Sequence, residues 1–214
     1  MTDHAGAPRP HDLLWGLGAE QLPDSAPAWA LEALRQQPPV VVRRAVAAPG
    51  WVAVGVRGQS RDQRFATWMR LGDIRRRLSP ERLASARGWH DHPHSHWPAL
   101  RALSLLQAPL DGCGLAWGVT GSIGFELASG LAAAHAGSDL DLVLRTPAPL
   151  SRQRAGQLCA LFGDLPGKVD VQLETPHGAV ALREWASGAT RVLLKAQDGP
   201  RLVADPWAPL GSPA

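Results

Sequence analysis

Apolar and polar positions along the chain fall into short periodic blocks. Residues 28–36 space their apolar side chains along one face of a helix, so a short helix is predicted there. The runs Pro39-Val40-Val41-Val42 and Trp51-Val52-Ala53-Val54-Gly55-Val56 are rich in strand formers. Pro49-Gly50 stands between them at a turn-like position, and the two read as a hairpin. A polar, Arg-dense loop over residues 57–64 leads into an amphipathic stretch over residues 65–77.

The second half alternates more regularly. Its pattern predicts helices over residues 100–107, 123–134, 150–162 and 178–185. Strands are predicted over 115–119, 139–145 and 168–174, with strand-like segments over 191–195 and 201–203 and a turn at Thr120-Gly121-Ser122. This predicts an α/β (α+β) fold: a larger domain over residues 99–214, preceded by a smaller α+β domain over residues 1–85. Between them, residues 86–98 turn to Gly, Trp, Pro and His. The alternating His90, His92, His94 and His96 could bind a transition metal, but Pro93 interrupts the spacing and no second ligand set lies nearby, so the segment reads as a linker.

Composition narrows the class. A chain of 214 residues with 45% apolar and 19% charged residues can build a core and is not the composition of a disordered chain. The formal net charge is +3, and Lys168 and Lys195 are the only lysines. Residues 1–112 carry 14 basic and 10 acidic groups, whereas residues 113–214 carry 8 and 9. That balance argues against a general nucleic-acid-coating protein. Cys113 and Cys159 lie far apart with no metal-like spacing, which fits a reducing compartment, and a cytoplasmic location is expected. No apolar run approaches the roughly 20 residues of a membrane helix. The first residues lack a basic cap followed by an apolar stretch, so neither a secretory signal nor a membrane partner is expected.

Candidate chemistry concentrates around Gly137-Ser-Asp-Leu-Asp-Leu-Val-Leu-Arg145. On a strand, Asp139 and Asp141 point to one side while Leu140 and Leu142 point to the core. Two close carboxylates repel unless a cation lies between them, and a hard divalent ion such as Mg²⁺ is the usual solution. Gly121-Ser122 opens the preceding helix, where backbone N–H groups and the helix dipole favour an anion such as a triphosphate. On the later strand, Lys168, Asp170, Gln172 and Glu174 share one face, and Asp170 could complete a carboxylate triad. Such a third acid can complete a metal site or take a proton from an attacking hydroxyl. Taken singly, each feature also has an ordinary meaning: a strand start, an N-cap, a solvated strand face. Their order and the α/β context favour phosphoryl-transfer chemistry.

The arrangement resembles the DNA polymerase β-like nucleotidyltransferase superfamily, whose signature is Gly-Ser, a helix, Asp-x-Asp on a strand and a further acid on a later strand. The interval from Ser122 to Asp139 is longer than is common there. A closer resemblance covers most of the chain. The runs His11-Asp12-Leu13, Val42-Arg43-Arg44-Ala45, Val54-Gly-Val-Arg-Gly58, Gln63-Arg64-Phe65-Ala66, Trp117-Gly-Val-Thr-Gly-Ser122, Gly137-Ser-Asp-Leu-Asp141 and Asp205-Pro206-Trp207 look like the phosphoribosyl-dephospho-CoA transferases, the malonate decarboxylase holo-acyl-carrier-protein synthases.

That resemblance implies a polymerase-β-like catalytic domain and transfer of the 2′-(5″-phosphoribosyl)-3′-dephospho-CoA group from its triphosphate precursor, triphosphoribosyl-dephospho-CoA. The acceptor it implies is a serine of the apo acyl-carrier subunit of malonate decarboxylase, with pyrophosphate released. It carries over Asp139 and Asp141 as the catalytic, metal-binding pair. Beyond it, the residues suggest Asp170 as third ligand or base and Gly121 and Ser122 as triphosphate holders. Arg57, Arg61, Arg64 and Lys195 are candidate phosphate partners, because guanidinium forks suit phosphate; the arginines could equally form a solvated face. Trp117, nearest the site in sequence, could stack on adenine or simply pack in the core. Arg75 to Arg77 is a candidate surface for an acidic carrier protein. The competing readings are another polymerase-β-like transferase with a small-molecule, protein or RNA acceptor, a non-catalytic binding module, and a nucleic-acid binder.

Overall fold

Strand alternation in the N-terminal half builds a five-stranded antiparallel sheet. The strands are β1 (Leu13–Trp15), β2 (Val40–Val42), β3 (Trp51–Arg57), β4 (Arg64–Arg70) and β5 (Arg76–Leu78), in the order β4-β3-β2-β1-β5. These and all further coordinates come from a computed structural model that describes residues 6–60 and 62–209. Val52, Val54 and Val56 alternate onto one face with Leu14, Val40, Val42 and Met69, and helix α1 (Ala28–Arg35) covers them with Ala30 and Leu34. Helix α1 ends where Gln37 turns to φ 50°, ahead of Pro38 and Pro39. The hairpin reading of β2 and β3 holds, with Val41 opposite Gly55.

The amphipathic stretch over residues 65–77 proves to be strand β4, a 3-10 turn at Leu71–Asp73 and strand β5. Its true period is two: Thr67 and Met69 face inward, and Ala66, Trp68 and Arg70 face outward. Apolar Ala66 and Trp68 on the outer side blur that alternation in the sequence.

Ser79 caps the N-terminus of α2 (Pro80–Ala86) by accepting a hydrogen bond from the Arg82 N–H at 3.3 Å. This helix packs on strand β6 (Ala116–Val119) of a second sheet. The approach requires Gly118, since a Cβ there would overlap Pro80. Turns over residues 87–97 follow, fixed by the fully buried Trp89 and by a 3.1 Å contact of His92 Nε2 with Glu126 Oε1. Helix α3 (Pro98–Asp111) then lays Leu100, Leu103, Leu106 and Leu110 into the main core.

The second sheet has the order β11-β10-β9-β8-β7-β6, with β7 (Leu140–Arg145), β8 (Val169–Thr175), β9 (Gly178–Ala181), β10 (Val192–Ala196) and β11 (Gly199–Val203). Only β7 and β8 run parallel, joined by a crossover through α5 (Arg152–Ala160). Leu140, Leu142 and Leu144 face Val169, Val171 and Leu173 in the core, each contributing about 1.5–3 kcal/mol by burial.

Two helix expectations change. Residues 178–185 form β9 and then the short α6 (Leu182–Ala186), because Gly178 at φ 158° closes a tight turn after Thr175 and leaves Ala179 to pair with Glu174 and Lys195. Helix α4 (Gly121–Ser129) starts earlier than predicted and stops at Gly130, whose φ of 71° lets its N–H close on the Glu126 carbonyl. The protein is therefore mixed α/β.

Sheet one meets sheet two through a small apolar cluster of Leu13, Leu83 and Phe125, flanked by Val41, Leu78, Leu127 and Leu131. Charged contacts surround it. Arg44 reaches Glu174 at 2.6 Å, and Arg145 reaches Glu81 at 2.6 Å and Glu174 at 3.7 Å.

Candidate active site

A cleft of about 900 Å³ lies between the two sheets. One wall comes from β7, β8 and the start of α4. Asp139 precedes β7, Asp141 lies within it, and Asp170 sits directly across from Asp141 in the parallel ladder. The strand–helix–strand layout thus gathers three carboxylates from residues distant in sequence.

Asp141 is the most enclosed of the three, and its carboxyl is pushed above the ordinary range, first by burial and then by the charges of Asp170 and Asp139. Lys168 and His11 pull in the other direction. Lys168 Nζ donates to Asp139 Oδ2 at 2.8 Å and to Asp170 Oδ2 at 2.7 Å, so one ammonium holds two of the acids, and this pairing raises the lysine pKa.

The start of α4 is fixed to the same acids. Thr120 donates to the Asp141 carbonyl through its N–H at 2.9 Å and its Oγ1 at 3.2 Å. Gly121, at φ 65°, lies so close to the Asp141 carboxylate that a Cβ would collide with it. Ser122 lines the cleft beside it.

The opposite wall is cationic, from Arg43, Arg57 and Arg64, with the His11 imidazole beside them. Arg57 donates to the Ala133 carbonyl at 2.8 Å and its guanidinium lies 5.4 Å over the Phe125 ring. Burial, followed by the nearby Arg64 charge, lowers its pKa to about 10, while Asp141 and Glu126 oppose that shift. Glu126 itself accepts from the Ala133 and Ala134 N–H groups at 2.7 Å, which fixes the loop that Arg57 grips. Arg64 donates to the Ser60 and Gln63 carbonyls, bracing the loop after β3.

The structure therefore brings together Asp139, Asp141, Asp170, Gly121, Ser122, Arg57 and Arg64. Lys195 lies elsewhere: it is on β10 and lines a neighbouring shallower groove, because β9 stands between β10 and β8, the strand that carries Asp170. Arg61 falls outside the described residues. Trp117 is a core residue, 7% exposed, with its Nε1 donating to Asp111 at 3.0 Å, so it has no free face for a base.

Sequence reasoning gave no role to Lys168, His11 or Arg43. Lys168 had a visible signal, since it alternates with Asp170 on one strand face. The other two reach the cleft only through packing of one sheet on the other.

A family model described as the phosphoribosyl-dephospho-CoA transferase MdcG N-terminal domain matches residues 9–80, and one for the C-terminal domain of the same transferase matches residues 82–206. The chain belongs to the phosphoribosyl-dephospho-CoA transferase family. Among its relatives, a phosphoribosyl-dephospho-CoA transferase of Pseudomonas putida is 57% identical over 202 residues, covering 94% of this chain and 96% of the relative. One of Azotobacter vinelandii is 54% identical, covering 94% of each chain, and one of Pseudomonas aeruginosa is 54% identical, covering 97% of each. No solved structure matches the chain. Membership makes the protein a transferase, and no described helix is long and apolar enough to cross a membrane.

The oxygen-only donor set of Asp139, Asp141 and Asp170 fits a hard divalent cation in its chemistry: like charge is in excess, and Asp141 bears the cost of it. Among the described residues no three acid, imidazole or thiol groups are already arranged as a metal cage. Lys168 holds two of the three acids, so a metal would take them from its ammonium.

Proposed function

We propose that this chain transfers the 2′-(5″-phosphoribosyl)-3′-dephospho-CoA group from triphosphoribosyl-dephospho-CoA to a serine hydroxyl of the apo acyl-carrier subunit of malonate decarboxylase, on a polymerase-β-like nucleotidyltransferase scaffold. The observation that carries this reading is the cleft in which three carboxylates face a cationic wall, in a chain whose relatives bear that transferase name over nearly their full length. A cytoplasmic location belongs to the same reading, in keeping with the free Cys113 and Cys159.

In this reading the serine oxygen forms a bond to the α-phosphorus of the donor and the bond to pyrophosphate breaks. The hydroxyl proton leaves to a carboxylate, and Asp170, opposite Asp141 in the ladder, is the candidate to take it. Asp139, Asp141 and Asp170 would hold Mg²⁺, which supplies charge neutralisation at the reacting phosphate when bound. Gly121 and Ser122 at the start of α4 would receive phosphate oxygens through the helix N-terminus. Arg57 faces them from the other wall, its guanidinium already oriented by Ala133 and Phe125, so little side-chain entropy remains to be lost on binding.

The test is pyrophosphate release in the presence of donor and Mg²⁺, with and without apo carrier. Release that depends on the carrier, and that is lost in Asp139→Ala, supports the reading. Equal release without carrier, or from ordinary nucleoside triphosphates with another acceptor, moves the function to a different polymerase-β-like transferase.

A further inference from the structure

A carrier protein must place its serine in the cleft, and the paired strands β3 and β4 run out of that cleft. On the side away from α1 the two strands pair in register: Gly55 with Ala66 at the cleft edge, then the buried Ala53 with the exposed Trp68, then Trp51 with Arg70. At the rise of an antiparallel strand, the second and third pairs stand roughly 7 and 14 Å from the first. That is within the footprint of a small domain whose serine enters the cleft.

The face is built of residues that carry binding energy in protein interfaces. Trp68 is 43% exposed and Trp51 is 38% exposed, and the Arg70 guanidinium lies 5.0 Å over the Trp51 ring. Exposed tryptophan and arginine together are the residue types that dominate interface hot spots. Neither β3 nor β4 contains an acidic residue. The opposite face of these strands is covered by α1 and cannot serve. Of the basic run Arg75 to Arg77, Arg77 is buried in an ion pair with Asp12 at 2.7 Å and is not offered to a partner, which leaves Arg75 and Arg76 exposed.

We propose that the outward face of β3 and β4, centred on Trp51, Trp68 and Arg70, is the docking surface for an acidic carrier protein that presents the acceptor serine. The proposal rests on the transfer reading above. Charge complementarity selects the occupant: a face with arginine and no acid attracts an acidic partner and repels a basic one.

The experiment titrates the apo acyl-carrier subunit of malonate decarboxylase into the full-length protein by calorimetry and measures carrier and donor KM, for wild type, Trp68→Ala and Arg70→Glu. Both sites are exposed, so the variants are expected to fold. The expected result is a carrier Kd and KM raised about tenfold or more in both variants with the donor KM unmoved, and wild-type binding that weakens with salt. Carrier binding by both variants within about twofold of wild type, a spread too small for a hot spot, overturns the proposal. So does a wild-type dimer that dissociates in Trp68→Ala while carrier binding stays intact, since the face would then join two copies of this chain. A wild type that binds carrier through this face yet transfers nothing to it would contradict the transfer reading and leave the docking surface standing.

Discussion

At the scale of single residues, Asp141 illustrates how a buried carboxylate among like charges costs stability. Its pKa is raised in the folded protein by burial and by Asp170 and Asp139. A group whose folded pKa lies above its unfolded value favours folding below the unfolded value and loses that contribution as pH rises through the folded one. At neutral pH the ionised Asp141 therefore destabilises the fold. Asp141→Asn is expected to keep or raise the melting temperature at pH 7, with the gain shrinking as pH falls, while transfer drops by on the order of a hundredfold or more. Thermal melts and steady-state assays of one preparation check both; a variant that melts well below wild type would make the acid structural. Lys168 is the neutralising partner, and on the proposed reading Mg²⁺ would take its place between Asp139 and Asp170. Added Mg²⁺ is expected to raise the melting temperature, by about 2.7 kcal/mol of stability at a hundred times its Kd, and Asp139→Ala to abolish that rise in differential scanning fluorimetry.

At the scale of elements, the start of α4 and the strand β7 behave as one piece. Gly121 has a positive φ and no room for a Cβ beside the Asp141 carboxylate. Gly121→Ala is expected to cost about 1–3 kcal/mol in backbone strain and to reduce turnover by more than that loss of stability explains, because Asp141 must move. A denaturant melt alongside kcat separates the two.

This joint was legible in the sequence. Gly121, Ser122, Asp139 and Asp141 stand in chain order around a helix, and the alternation of Lys168 to Glu174 placed Asp170 on a single face. The register that sets Asp170 across from Asp141 was not legible, since parallel pairing depends on the crossover through α5. Short elements misled for physical reasons. Gly178 to Ala181 is too small and uniform to show a period, and the exposed Trp68 concealed the period of β4.

At the scale of the whole molecule, the cleft exists because two sheets are held together, and Glu174 is central to that hold. Glu174 is 7% exposed, and its carboxylate meets Arg44, Arg145 and, at 3.3 Å, His11 Nε2. Burial alone would raise its pKa, but His11 and Arg44 hold it below the ordinary value of 4.5. A depressed carboxylate stabilises the fold above its unfolded pKa and stops doing so as pH falls through the folded one. Glu174→Gln is therefore expected to lose about 3–5 kcal/mol at pH 7, a gap that closes as pH drops below 4.5. Urea melts across pH measure it, and a gap independent of pH would contradict the ion-pair account. No sequence pattern pointed to this contact, because Arg44 and Glu174 lie 130 residues apart.

The central claim is that this cleft attaches a phosphoribosyl-dephospho-CoA group to a carrier serine through its acid cluster. Intact-mass spectrometry of the apo acyl-carrier subunit, incubated with this protein, Mg²⁺ and triphosphoribosyl-dephospho-CoA beside an Asp139→Ala control, tests it most directly. The account predicts a mass gain equal to that group with the wild type and none with the control. An unmodified carrier with wild type, or an equal gain with Asp139→Ala, would contradict it.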